Sequence, residues 1–243
     1  MSDPGVARRR FLGHYRAVTR VIESLVVAAL AACGSVEAKA PDAAVGIDAA
    51  VAIDARPIDA AAIPHKVAFV TSQVYTGNLG GVAGADAKCQ LLADTAHLTG
   101  SFRAWLGNAT VSAASRLTHP TLPYLLVDGT MIARDWDGLS SGLLMHAIDQ
   151  TELGMAALGG TNTGCFDEPA IGLLVWTNAL PNGGIANTNM TNSCGNNWNT
   201  AGPTGFGGPF GDVGLLGATD AQWTDVCQAA RCENTSPLYC LEQ

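Results

Sequence analysis

This chain lacks an apolar run long enough to cross a bilayer. The N-terminal stretch "SLVVAALAA", Ser24–Ala32, is only nine residues long, against the roughly 20 that a membrane-spanning helix needs. Basic residues are scarce too. Five of the thirteen are Arg8, Arg9, Arg10, Arg16 and Arg20, and past Cys33 eight basic residues face nineteen acidic ones, a net charge of −11. Phosphate-backbone binding needs a basic face, so this balance argues against nucleic acid as a partner. There is no HExxH or His-x-His motif, and the closest cysteines, Cys227 and Cys232, have four residues between them and no histidine nearby. Zinc knuckles need tighter spacing. Residues 34–65 contain no aromatic residue at all.

What is present begins with an export pattern. The arginines make a positive n-region ahead of the short apolar h-region. That region ends in "LAAC", Leu30–Cys33, which resembles the bacterial lipobox. The resemblance implies cleavage before Cys33 and acylation of its sulfur, with each buried acyl CH₂ contributing roughly 0.8 kcal/mol to membrane attachment. Gly34 lacks the acidic signal that retains some lipoproteins at the inner membrane, which tilts the expected location to the outer membrane and cell surface. Residues 1–33 therefore read as a lipoprotein signal peptide. Residues 34–65 repeat Asp-Ala steps at Asp42, Asp48, Asp54 and Asp59, with Pro41, Pro57 and Pro64 between or beside them. Such composition reads as a disordered tether.

Residues 66–243 read as the folded domain. Lys66–Gly77 is β-rich and ends in a Gly-Asn turn. Ala83–Leu98 has helical spacing, with Ala87, Leu91 and Leu98 on the apolar side and Cys89 on a flank. Tyr124–Ala133 reads as two strands around Asp128-Gly129, a strong hairpin signal. Strands are also expected in Gly172–Asn178 and Ser236–Gln243. The total is an α+β domain with few helices and long Gly/Asn-rich connections. Beyond Cys33 there are six cysteines, at 89, 165, 194, 227, 232 and 240, an even number that in an exported protein indicates three disulfides.

The order of these features resembles the C-type lectin-like fold: a helix cysteine in "ADAKCQLLA", then "WTNALPNGG" ahead of Cys194, "QWTDVCQAA", and "LYCLEQ" at the end. The phrases "GNLGGVAGADAKCQ", "FRAWL", "SRLTH", "YLLVDGTMIA" and "VWTN" further resemble an uncharacterised bacterial surface-lipoprotein family, grouped with endostatin-like relatives of that fold. The resemblance implies the pairings Cys89–Cys240 and Cys194–Cys227, with Cys165 bonded to Cys232. In sugar-binding relatives an "EPN"-type and a "WND" tripeptide supply oxygens to one calcium ion. The corresponding positions here are Leu180-Pro181-Asn182 and Trp223-Thr224-Asp225. Leu180 and Thr224 remove two ligands, and calcium needs six to eight oxygens. The expected cofactor is therefore none.

Within Val175–Trp198 the asparagines and tryptophans carry two readings. Asn178, Asn182, Asn197 and Trp198, with Asp225, offer amides, a carboxylate and a flat face to a glycan or protein ligand. Equally, Asn and Gly satisfy turns, and tryptophans beside a disulfide usually belong to a core. Enzyme signals are weaker. "GLSSG", Gly138–Gly142, matches GxSxG with His146 nearby, but follows "ARDWD" rather than the apolar strand of a nucleophile elbow. "DEPA", Asp167–Ala170, reads as a turn. The expected function is a non-enzymatic, lipid-anchored surface binding module for an extracellular glycan or protein. An exported carboxylate-based hydrolase and a structural envelope lipoprotein are the alternatives.

Overall fold

A computed structural model describes residues 63–165, 170–188, 193–202 and 209–243. The lipobox Cys33, the tether up to residue 62, Asp167, Glu168 and Pro169 of the "DEPA" turn, and Asn189 and Asn192 lie outside these residues. Among the described residues no helix is long and apolar enough to cross a membrane.

The domain is α+β. Strands β1 (Lys66–Val70), β2 (Phe102–Ala104), β3 (Tyr124–Leu125), β4 (Met131–Ala133) and β8 (Tyr239–Glu242) form a sheet in the order β2-β8-β1-β3-β4. Strands β5 (Leu174–Trp176), β6 (Phe210–Leu215) and β7 (Cys227–Arg231) form a second sheet, β5-β6-β7. The first and last strands are antiparallel neighbours with Phe69 opposite Cys240, so the two ends of the domain lie together.

Side chains alternate across a strand, and here both faces of the central strands are covered. Ala68, Val70, Tyr239 and Leu241 enter one buried cluster, with Trp105, Trp136 and Trp223. Phe69, Leu238 and Cys240 enter a second, with Trp176 and Trp198. All five tryptophans are buried. The hairpin forms where expected: Leu126 N–H donates to the Thr130 carbonyl, Thr130 N–H to Asp128 Oδ1, and Gly129 takes a φ of 89° at the turn.

Helix α1, Gly81–Thr95, differs from expectation in phase. Its buried face is Gly81, Ala85, Cys89, Leu92 and Ala93, while Ala87 and Leu91 are exposed. Cys89 thus sits at the centre of the face rather than on its flank. The Cys89–Cys240 bridge holds Cα atoms 5.5 Å apart, and only small side chains let a helix approach a strand so closely. At the helix start, Gly81 has a φ of 79°, and a Cβ there would lie 2.9 Å from Asn197 Nδ2. At the end, His97 takes a φ of 59°, with Leu98 N–H bonded to Ala93 O and His97 N–H to Asp94 O, a Schellman termination.

The helix also protects the sheet edge. The outward N–H groups of Phe102 and Ala104 donate to Gln90 Oε1 (2.7 Å) and Asp86 Oδ1 (2.9 Å). An unpaired edge strand templates association, and these two side chains occupy its donors.

The disulfides require a correction. Cys89–Cys240 forms as expected, and the separation of 151 residues corresponds to roughly 4–5 kcal/mol by chain-entropy reasoning. The other two partners are exchanged: the bonds are Cys194–Cys232 and Cys165–Cys227, not Cys194–Cys227 and Cys165–Cys232. Strand register explains this. Phe210 lies opposite Arg231, and Ser193 bridges to Gly211, so Cys194 arrives beside the end of β7 that carries Cys232. At the other end, Val213 lies opposite Cys227, and Leu174 lies opposite Leu215. The loop ahead of β5, which carries Cys165, is therefore delivered to Cys227.

Candidate binding surface

The Asn-rich loop leaves β5 through Asn178, which is fully buried with a φ of 43°. Its Oδ1 accepts from Asn187 N–H at 2.9 Å and its Nδ2 donates to Asn187 O at 3.3 Å. The intervening segment turns at Leu180–Gly184, where Leu180 N–H bonds to Gly184 O and Gly183 takes a φ of 76°. Asn182 is exposed and accepts Gly184 N–H at 2.9 Å, the local bond that suits asparagine to turns.

Beyond residue 192 the backbone makes a π-helical turn, Cys194–Trp198. Its first and last residues have positive φ values of 43° and 54°, each costing of order 1–3 kcal/mol unless surrounding structure enforces it. Cys194 is fixed by its disulfide. Trp198 is fully buried, 5.4 Å from the Trp176 ring, and its Nε1 donates to Gly107 O at 2.7 Å. Asn197 is half-buried and accepts from Asn108 Nδ2 at 2.8 Å.

Trp223 ends a 3₁₀ turn, Ala221–Trp223, and Thr224 and Asp225 follow it. Thr224 is completely buried: its hydroxyl donates to Ala179 O (2.8 Å) and accepts from Trp105 Nε1 (2.6 Å), while its carbonyl accepts from the Thr177 hydroxyl (2.6 Å). The position expected, from the lectin resemblance, to correspond to a calcium-ligating amide is here a core junction. Asp225 is half-buried, and burial pushes its carboxyl above the ordinary range. Of the five residues singled out in the sequence, Asn178, Asn182, Asn197 and Trp198 each bond to a partner outside the set. Among the described residues, no three His, Cys, Asp or Glu side chains converge on a metal position.

After the one-turn helix α2, Ala113–Arg116, "GLSSG" ends the short helix α3, Trp136–Leu139. Ser141 hydroxyl donates back to Gly138 O at 2.8 Å, and His146 Nδ1 lies 2.9 Å from Ala147 O. The segment is a helix terminus rather than a strand-to-helix elbow.

A different surface is more distinctive. Of eleven exposed large apolar side chains among the described residues, eight fall between Met131 and Leu173. A single exposed leucine is ordinary, but these eight are concentrated in one stretch of the chain. Met145 N–H bonds to Ile132 O on β4, and Gln150 Nε2 bonds to Asp128 at the β3–β4 turn. A Cβ on Gly154 would lie 3.8 Å from Val127 Cγ1. The segment from Leu143 to Leu158 thus lies along the β3–β4 hairpin and carries Leu143, Met145, Leu153, Met155 and Leu158, all at least 58% exposed. Glu152 pins its middle: the buried carboxylate accepts from Ser72 N–H (2.9 Å) and from the Ser72 hydroxyl.

Two clefts flank α3. The larger, about 310 Å³, is lined by Ala133, Arg134, Asp135, Gly138, Leu143 and Met145. The smaller, about 150 Å³, lies by His119, whose ring stacks on Trp136 at 3.9 Å. The sequence signal for this surface is faint: apolar residues inside "SGLLMHA" and "TELGMAALGG" that follow neither a helical nor a strand period.

A scan against protein-family models and a search of curated proteins find no match to this protein. The three disulfides are those of a protein that matures in an oxidising compartment.

Proposed function

We propose that this protein is an exported binding module, held to the cell envelope through a lipidated Cys33, whose C-type lectin-like domain recognises an extracellular protein. The observation that carries this reading is the exposed apolar ridge from Leu143 to Leu158 beside the β3–β4 hairpin. Exposed apolar patches mark interaction sites, and flexible methionines suit protein surfaces. Glycan recognition would draw on free amides and aromatic faces. Here Trp198 is buried and the Asn178 amide is bonded to the backbone of its own loop.

The test is binding of the purified full-length protein to glycan and extracellular-protein arrays. Leu143→Ser/Met145→Ser/Met155→Ser should abolish the protein signal, while Asn182→Ala/Asp225→Ala should retain it. Glycan binding lost on Asn182→Ala/Asp225→Ala would replace this reading with a loop-based lectin.

A further inference from the structure

The cleft beside α3 holds more chemistry than an apolar patch. Its wall is Ala133, Gly138, Leu143 and Met145, and its polar members are Arg134 and Asp135. At about 310 Å³ it sits at the small end of ligand sites, roughly 300–1,000 Å³, a size for one side chain and its backbone rather than a large cofactor. Asp135 Oδ1 accepts Gly138 N–H at 2.8 Å and so is turned toward the start of α3.

Arg134 is exposed, and the basic residues around the rest of the domain show why it stands out. Lys66 contacts Gln243 O and Glu242, Lys88 donates to Leu79 O, and Arg103 donates to Arg116 O. Arg116 pairs with Asp86, and Arg231 pairs with Glu233. Among the described residues Arg134 is the one lysine or arginine whose side chain makes no hydrogen bond or ion pair. In a protein of net charge −8, this guanidinium lies at the cleft beside Leu143 and Met145. A guanidinium fork matches a carboxylate in geometry as well as charge.

We propose that this cleft binds a peptide segment of the partner protein in which an apolar side chain lies next to a carboxylate, the side chain against Leu143 and Met145 and the carboxylate on Arg134. The proposal rests on the protein-binding reading above and names the chemistry of its ligand. The carboxylate is either the partner's C-terminus or an Asp or Glu beside the apolar residue.

The experiment is a titration of the full-length protein labelled with [13C-methyl]methionine, whose five methionines include Met145 in the cleft and Met131 and Met155 outside its lining. Three probes are used: acetyl-Gly-Gly-Leu with a free carboxylate, the same peptide as its amide, and acetyl-Gly-Leu-Asp-Gly amide. The expected result is a saturable shift of the Met145 signal with at least one carboxylate probe. The Gly-Gly-Leu amide should bind about tenfold more weakly, the scale of a hydrogen bond to a charged group. The acid and Asp probes tell the two carboxylate sources apart. Arg134→Gln should abolish the difference while the Met131 and Met155 signals stay in place, reporting an intact fold. Equally tight, saturable binding of the Gly-Gly-Leu acid and its amide would overturn the proposal, as would a silent Met145 with all three probes. If the ridge variant still loses array binding in those cases, only the cleft assignment falls. If the arrays show no protein binding at all, the broader reading falls with it.

Discussion

Asn178 grips the backbone of Asn187 from both sides, accepting its N–H at 2.9 Å and donating to its carbonyl at 3.3 Å. Nine residues apart in sequence, the two close the base of the loop that carries the Leu180–Gly184 turn. Asn178→Ala leaves both backbone groups without that partner in a part-buried site. The expected cost is about 1–3 kcal/mol in chemical denaturation, with protein-array binding unchanged. Lost binding with stability intact would return this asparagine to the ligand surface.

Thr224 joins Trp105, Ala179 and Thr177 in one buried junction. Thr224→Val keeps the shape but leaves the Trp105 Nε1–H without an acceptor, and should destabilise by about 1–3 kcal/mol. Rebuilding the lectin tripeptides with Leu180→Glu and Thr224→Asn should lower the melting temperature without producing calcium binding in isothermal titration calorimetry. Calcium-dependent heat from that double variant would show that residue 224 can turn out of the core.

Burial holds the Asp225 carboxyl above its ordinary pKa. A group with a raised folded pKa binds its proton more tightly when folded. Its contribution to stability is therefore full below the unfolded value and is lost as pH rises through the folded value. Asp225→Asn should raise the melting temperature at pH 7, and the advantage should shrink as pH falls to about 4 and below. A pH-independent difference would point to a lost contact instead.

Both sulfurs of Cys89–Cys240 and of Cys194–Cys232 belong to fully buried residues, whereas Cys165 and Cys227 are only partly buried. Thiol–disulfide exchange requires access for the attacking thiolate. Limited reduction with dithiothreitol followed by alkylation and peptide mapping should therefore release Cys165 and Cys227 first. The same mapping under non-reducing conditions should recover Cys194 linked to Cys232; Cys194 linked to Cys227 would contradict the observed strand register.

Much of the fold was legible because it is written locally. The Asp128-Gly129 hairpin and β1 follow from turn chemistry and strand composition, whereas aromatic size favoured a core for Trp176, Trp198 and Trp223 but left the ligand reading of Trp198 open beside it. The phase of α1 was not, because its buried face is made of Gly81, Ala85 and Cys89, which carry little hydrophobic signal, while the larger Leu91 faces solvent. The exchange of disulfide partners depends on how β6 registers against β5 and β7, a long-range relation that no local motif encodes. The ridge was hidden for a related reason: apolar residues in aperiodic loops are core or surface according to what packs on them.

On the proposed reading, binding resides on the ridge and not in the Asn-rich loop. The most direct measurement is the protein-array signal of the full-length protein beside those of its Leu143→Ser/Met145→Ser/Met155→Ser and Asn182→Ala/Asp225→Ala variants. The prediction is loss of signal in the first variant and retention in the second. The reverse pattern, ridge variant binding and loop variant silent, would move the binding site to the Asn-rich loop.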